Sequence, residues 1–383
     1  MKRKIVVVTG SRADYGILKN TIINISKSNS LELNLVVMGQ HLSSKYGNTY
    51  KEILKDKINI KKKIYSYIDD DSEKGINQSI SLGIQKFSQT ITDLKPDIVL
   101  LLGDRFEILS AAIATLICRI PIAHIHGGEV SEGSIDESIR HSITKMSHLH
   151  FVSLKKYRDR LIQLGENKKH IYIVGALGIE NVKKRNLISK KQLQKVLKIN
   201  FLKKNLIITY HPSTSETNDD FNYRELLSSL SKLKDTLLIF TFPNMDLGSK
   251  KLIKITEKFV SSHKNTVLFK SLGYINYLSC LKYVDGVVGN SSSGIIEVPS
   301  FKIGTVNIGN RQKGRELNES IIVTKNDNLS ISKAIKKLYS SQFIKKLTYV
   351  NNIYDKGESS KKITSILEKV KLDNIIKKKF FDL

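Results

Sequence analysis

Short runs of β-branched and aliphatic residues recur along the chain, each followed by a longer stretch in which apolar positions fall three or four apart. The first series is "KIVVVTG", "LNLVVMG", "DIVLLLG", "PIAHIHGG", "LHFVSL" and "IYIVG". Continuous apolar runs of this length, closed by glycine or a polar turn, read as strands buried on both faces of a parallel sheet, and the stretches between them read as amphipathic helices. Such an alternation predicts a doubly wound α/β domain. A lysine-rich amphipathic helix and turn, Lys190 to Asn205, then interrupt the series. The pattern restarts with "NLIITYHP", "TLLIFTFP", "NTVLFKSL", "DGVVGNS", "GTVNIGN" and "SIIVT", predicting a second domain of the same class. We place the first Rossmann-like domain at 1–189 and the second at 190–358. A last helical pattern, within 359–383, is expected to pack back on the first domain. No repeat of solenoid period and no low-complexity linker occurs.

Composition fits two cores. At roughly 100–200 residues per domain, 383 residues with 40% hydrophobic content suffice for two, and two domains predict a cleft between them. Only Cys118 and Cys280 are present, both in apolar segments, which supports neither a disulfide framework nor a cysteine zinc site and points to a reducing compartment. The N-terminal apolar run, Ile5 to Val8, is too short for a signal-peptide core, and no stretch of about 18 apolar residues occurs. These features predict a soluble, cytoplasmic protein that needs no membrane. The net charge of +27 invites a nucleic-acid reading. Its lysines are scattered through "KKKIYSY", "KKRNLISKKQLQKVLK" and "KLDNIIKKKFF" on helix-like faces, without one basic arm interleaved with aromatics, so we read them as solvated surface. A polyanionic small molecule would still be drawn in by that field.

Ligands of open α/β sheets sit at the carboxyl ends of the strands. There the first domain carries "TGSRADYG" with Arg12 and Asp14, "GDR" with Asp104 and Arg105, and "HIHGGEVSEGSIDESIRH" with His126, Glu129 and Asp136. The second carries "HPST" at His211, "FPNMD" at Asn244 and Asp246, and "GNSSSG" at Ser291 to Ser293. All are expected to face one cleft. In "DGVVGNSSSGIIEV" small hydroxyl residues and Gly294 could gather backbone N–H groups at a helix N-terminus, where a pyrophosphate is favoured, although an ordinary serine N-cap explains the same residues. Glu297, about a turn and a half into that helix, could accept from ribose hydroxyls. The segment lacks the second glycine of a G-x-S-x-G elbow. Neither a Walker A nor a G-x-G-x-x-G motif is present, so ATPase and NAD readings lose their usual support.

Taken together, "TGSRADYG", "MGQHLSSKYGNTY", "LLGDRFEIL", "HIHGGEVSEGSIDESIRHSITKMSHLHF", "TYHPST", "FPNMDLGSK", "GNSSSGIIEVPSF" and "NIGNRQKGRE" resemble the hydrolysing UDP-N-acetylglucosamine 2-epimerases of sialic-acid-type sugar biosynthesis, in order from Val6 to Glu316. The resemblance implies a glycosyltransferase-B-like arrangement of the two Rossmann-like domains, UDP held mainly by the second, no nicotinamide or other cofactor, and no metal. It also implies a homo-oligomer, a dimer or tetramer. Matching positions for UDP contacts are Arg12, Gly16, Arg105, His211, Asn244, Leu272, Ser291, Ser292, Glu297 and Arg311. Of these, Ser291, Ser292 and Arg12 suit the pyrophosphate, Glu297 the ribose and the backbone near Leu272 the uracil edge. His41, in "GQHLSS" after the second strand, reads equally as a sugar contact or as a loop cap.

The implied chemistry removes UDP from C1 and a proton from C2 to give a glycal, then adds water to release the 2-epimerised sugar. For UDP-N-acetylglucosamine the product is N-acetylmannosamine; the alternative substrate is UDP-2,4-diacetamido-2,4,6-trideoxy-glucose, toward legionaminic acid. Acid–base groups must then reach the ring, and Asp104, Asp136 and Glu129 are the carboxylates offered. The chain departs from the wider superfamily at His126, where several members carry glutamate, so proton transfer falls to His126 or Glu129. On a strand His124 and His126 would face the same side, which fits a crude H-x-H metal pattern with no third ligand at standard spacing. His141, His148 and His150 read as structural. A glycosyltransferase or a silent UDP-sugar-binding module on the same scaffold is the competing class, and several ring-directed carboxylates argue against it.

Overall fold

The computed structural model describes residues 1–70, 72–132, 134–184, 187–212, 219–243 and 248–383. They form two compact units: the first comprises Met1–Glu129, Ile135–Asn181 and Tyr354–Leu383, the second Val130–Ser134 and Val182–Ile353. The C-terminal segment thus belongs to the first unit, and the main stretch of the second begins at Val182, ahead of the expected Lys190.

In the first unit the strands are β1 (Arg3–Thr9), β2 (Leu31–Met38), β3 (Lys62–Ile64), β4 (Ile98–Leu102), β5 (Ile122–Ile125), β6 (Leu149–Val152) and β7 (Ile171–Ile173). They pair in the order β3-β2-β1-β4-β5-β6-β7, every pair parallel. Side chains alternate between the faces: Ile5, Val7, Leu35, Leu100 and Phe151 pack with Leu18 and Ile22 on one side. Val6, Val8, Val99 and Leu101 pack with Phe87 and Ile108 on the other. Ser11 starts the helix Arg12–Lys27 by accepting from the Asp14 N–H, which leaves Arg12 just beyond the carboxyl end of β1.

The second unit has β8 (Lys204–Thr209), β9 (Thr236–Thr241), β10 (Thr266–Phe269), β11 (Gly286–Gly289), β12 (Gly304–Ile308) and β13 (Ile321–Thr324), ordered β10-β9-β8-β11-β12-β13 and again all parallel. A capping box between Ser189 and Gln192 opens its first complete helix, Lys190–Leu197.

Both sheets reverse direction of winding once, between β1 and β4 in the first and between β8 and β11 in the second. Ligands of such sheets bind outside the carboxyl ends at that point. It is where "SRAD" meets "GDR", and where "HP" meets "GNSSSG".

Two expectations need correction. "KKKIYSY" is not wholly a solvated helical face: Lys62–Ile64 adds an edge strand to β2, burying Ile64. The last helix covers only Ser359–Lys369 of the 359–383 stretch. Among the described residues no helix is long and apolar enough to cross a membrane.

Candidate active site

In the first unit the carboxylates are gathered by an arginine that the sequence reading passed over. Arg140, 1% exposed, lies one turn beyond Asp136 on the helix Ile135–Met146. Its Nη2 is ion-paired with Asp104 Oδ2, and its Nη1 donates to the Glu129 carbonyl oxygen at 2.9 Å and to Glu137 Oε2 at 3.1 Å. Asp104 follows Gly103, whose φ of +79° turns the chain off β4. Glu129 is buried, and its Oε1 accepts from Ser153 Oγ at 3.0 Å and lies 3.4 Å from His126 Nδ1. One buried guanidinium and one strand-end serine therefore orient Asp104, Glu129 and the helix of Asp136. Two signals were visible: Arg140 falls four residues after Asp136, on its helix face, and Ser153 closes the β6 run.

Contrary to the strand pattern, His124 and His126 do not face the same side. His124 is fully buried on β5, with Nε2 2.7 Å from the Gly103 carbonyl oxygen and Nδ1 3.2 Å from Thr144 Oγ1. Burial, opposed by that backbone bond, pushes its pKa down to about 3, so it is neutral. His126 does not share its side of the strand, because β5 ends at Ile125 and His126 adopts a left-handed φ of +66°. That turn dissolves the H-x-H pattern and swings His126 to Glu129. Among the described residues no three His, Cys, Asp or Glu side chains converge as a metal would require.

Of the two readings of His41, the bonds of its ring match the loop cap. His41 is fully buried, with Nε2 3.0 Å from Thr9 Oγ1 and Nδ1 2.8 Å from Thr49 Oγ1, and burial lowers its pKa to about 3. A ring so enclosed, with both nitrogens engaged, ties β1 to the loop after β2 and offers no edge to a sugar. His148, His150 and His141 are likewise tied into the fold: His148 Nδ1 accepts from the Ile122 N–H, His150 pairs with Glu166, and His141 with Glu137.

Charged side chains gather at the β1–β4 reversal. Arg12 Nη1 pairs with Glu52 at 2.8 Å, and Arg105 Nε pairs with Glu107 Oε1 at 2.8 Å. The Asp14 residue is partly exposed, yet its Oδ2 is closed off from solvent. Desolvation, resisted by Arg105 and reinforced by Glu107, pushes that carboxyl up to about 6. Gly16 is buried in the helix behind them.

The second unit's site centres on Asn290, which the sequence reading did not single out. Its side chain clamps His211 at both ends, Oδ1 accepting from the His211 N–H at 2.7 Å and Nδ2 donating to the His211 carbonyl at 2.8 Å. Its own carbonyl accepts from Gln312 at 2.9 Å and from Arg311 at 3.3 Å. The clamp needs close approach of β11 to β8: a Cβ on Gly289 would sit 1.9 Å from the Thr209 carbonyl oxygen. Ser291 and Ser292 follow, partly exposed, and Ser293 bonds Tyr277 at 2.8 Å.

The helix expected here is a single turn, Ser293–Ile296, and Ser292 makes no side-chain cap bond. So short a turn carries too little aligned dipole to support the helix-terminus argument for phosphate. Glu297 closes that turn and is buried instead of lying further along a helix. Leu272 packs in the core, and its carbonyl oxygen accepts from Asn276. Asn244 and Asp246 lie outside the described residues.

A family model described as UDP-N-acetylglucosamine 2-epimerase matches residues 23–368. The chain is 42% identical over 386 residues to the GDP/UDP-N,N'-diacetylbacillosamine 2-epimerase (hydrolyzing) of Campylobacter jejuni subsp. jejuni serotype O:2, covering 100% of both. It is 32% identical over 376 residues to the UDP-N,N'-diacetylbacillosamine 2-epimerase (hydrolyzing) of Legionella pneumophila, covering 98% of each. The crystal structure of UDP-GlcNAc 2-epimerase from Neisseria meningitidis, bound to UDP-GlcNAc, shares the fold with a TM-score of 0.80 at 18% identity, over 96% of this chain and 100% of that one.

Proposed function

The chain belongs to the UDP-N-acetylglucosamine 2-epimerase family, and from that premise we propose that it hydrolyses and epimerises a UDP-linked 2-acetamido sugar, with UDP-2,4-diacetamido-2,4,6-trideoxy-glucose as its substrate. The substrate choice follows the names of the two relatives, at 42% and 32% identity, both called diacetylbacillosamine 2-epimerases. The observation that carries the reaction is the Arg140 set, which holds Asp104, Glu129 and the helix of Asp136 together at the strand ends of one sheet.

Departure of UDP takes the C1–O electron pair and leaves an electron-poor ring. The C2 proton then becomes acidic enough for a carboxylate or imidazole to remove, giving the glycal. Water adds at C1 while a proton returns to C2 on the opposite face, so UDP and the free 2-epimer are the products. Asp104, Glu129, His126 and Asp136 handle those protons. Arg12, Gly16, Arg105, His211, Ser291, Ser292, Glu297, Arg311, Asn244 and the backbone at Leu272 hold UDP, whose charge needs stabilising as it leaves. No metal or organic cofactor enters this scheme, and the working form is a cytoplasmic homo-oligomer.

The test is incubation with the UDP-diacetamido sugar and, separately, UDP-N-acetylglucosamine in heavy water, with products followed by NMR. The expected result is free 2-epimer deuterated at C2 plus UDP, with the diacetamido substrate turned over at the higher kcat/KM. Recovery of UDP-sugars alone rejects hydrolysis, and a preference for UDP-N-acetylglucosamine rejects the substrate assignment.

A further inference from the structure

Glu107, the second residue of the helix Phe106–Ile117, is 2% exposed and carries a carboxylate that the reaction above does not use. Its side chain runs from the end of β4 to a slot at the ends of β1 and β2. Two glycines make that slot: a Cβ on Gly10 would lie 2.5 Å from Glu107 Cγ, and a Cβ on Gly39 would lie 3.0 Å from Glu107 Oε1. Oε1 is engaged by Arg105 Nε at 2.8 Å, while Oε2 is buried with no hydrogen-bond partner among the described residues. Burying a carboxylate this incompletely satisfied opposes folding, since an apolar side chain or a neutral amide in the slot would avoid most of the desolvation.

What the carboxylate does accomplish is directional. A bond to Nε fixes the plane of a guanidinium, which otherwise rotates on a flexible stem. Arg105 stands at the winding reversal of the sheet, where a ligand's charge is expected. We propose that Glu107 is a positioning residue that latches Arg105 through Nε and so sets its affinity for the diphosphate of the nucleotide. This rests on the reading of Arg105 as a UDP contact.

The experiment measures UDP binding by calorimetry and steady-state kinetics for E107Q, R105K, R105A and the double variant E107Q/R105A, with melting temperatures alongside. E107Q keeps the shape of the side chain and removes its charge. It should weaken UDP binding and raise KM by about tenfold, the scale of one charge-assisted hydrogen bond, while kcat falls less than about threefold. R105K keeps a cation but has no Nε, and should lose about as much. In the R105A background E107Q should add nothing, because the latch has nothing left to hold.

Unchanged UDP affinity in E107Q, with R105A impaired, overturns the latch and leaves the UDP contact standing. Additive losses in the double variant overturn it as well. Unchanged affinity in R105A removes the UDP reading of Arg105 and the latch with it. Should E107Q not fold, E107D takes its place, keeping the charge on a side chain one methylene too short to reach Nε: wild-type UDP affinity there overturns the proposal, and a loss near tenfold that is absent in the R105A background upholds it.

Discussion

Arg140 Nη1 donates to the carbonyl oxygen of Glu129 at 2.9 Å, so the helix that begins at Ile135 and the turn that follows β5 are locked to one buried guanidinium. The same side chain reaches Asp104 and Glu137. A lysine has the charge but not the planar fork needed to serve three acceptors at once. We expect R140K to lower kcat by about a hundredfold, as small displacements of catalytic groups do, and to lower the melting temperature. UDP affinity should change by less than about threefold. Wild-type turnover in R140K would show that Asp104 and Glu129 are oriented by something else.

If Asp104 and Asp136 manage protons on the sugar, D104N and D136N should each lower turnover by about a hundredfold or more without weakening UDP. Glu129 and His126 touch each other, with Nδ1 and Oε1 3.4 Å apart, so their variants separate the two possible bases. H126Q keeps a polar group of similar reach and removes basicity. A large loss there with a small loss in E129Q assigns the C2 proton to imidazole, and the reverse assigns it to the carboxylate. E297Q should raise KM and spare kcat, because a ribose contact acts on ground and transition states alike. Turnover within a few-fold of wild type in all four first-unit variants would mean that the proton-handling set has been misidentified.

The apolar runs made the main strands legible because both faces of a parallel sheet are buried, and a run such as Ile98–Leu102 has no other reading in this context. Lys62–Ile64 stayed hidden because an edge strand buries only one side chain and resembles solvated surface. Strand order was not written in the pattern at all. It decides that Arg12 and Arg105 flank one winding reversal and that His211 and Asn290 meet at the other. The residues that hold the site escaped for a related reason: Arg140 and Asn290 act on Asp104 and His211, far away in sequence, and Glu107, although its bond to Arg105 is local, owes its burial to the distant Gly10 and Gly39. His41 and His126 show the converse error. One read equally as a sugar contact or a loop cap and is enclosed by Thr9 and Thr49, and the other looked like a strand residue but sits at a left-handed φ.

Asn290 supplies a second test of the nucleotide site that does not alter any residue assigned to touch UDP. Its amide donates to one backbone group of His211 and accepts from the other, which aspartate cannot do. N290D sets a carboxylate oxygen against the His211 carbonyl, at a cost of about 1–3 kcal/mol for an unsatisfied buried group. The loop from His211 should loosen, and UDP should bind at least about tenfold more weakly. Calorimetry with UDP and a melting curve measure both. Wild-type UDP affinity in N290D would show that His211 does not need its clamp.

Asp14 predicts a pH dependence whose sign follows from its environment. Desolvation raises its carboxyl from an ordinary 3.8 to about 6, with Arg105 opposing the rise and Glu107 and Asp104 adding to it. Between those two values the folded chain holds a proton that the unfolded chain has released. Stability from this group is therefore fully present below about pH 4, declines as pH rises through about 6 and is lost above it. Two pKa units correspond to about 3 kcal/mol. Asparagine imitates the protonated carboxyl at every pH, so D14N should melt close to wild type near pH 4 and several degrees above it near pH 8, the gap opening through the Asp14 titration. Contributions from every other titrating group are common to both proteins and cancel in the comparison, to the extent that Arg105 and Glu107 keep their pairing. A constant offset between the two melting curves, or a D14N variant that is the less stable protein at pH 8, would mean that the Asp14 carboxylate is better stabilised in the folded chain than its buried Oδ2 indicates.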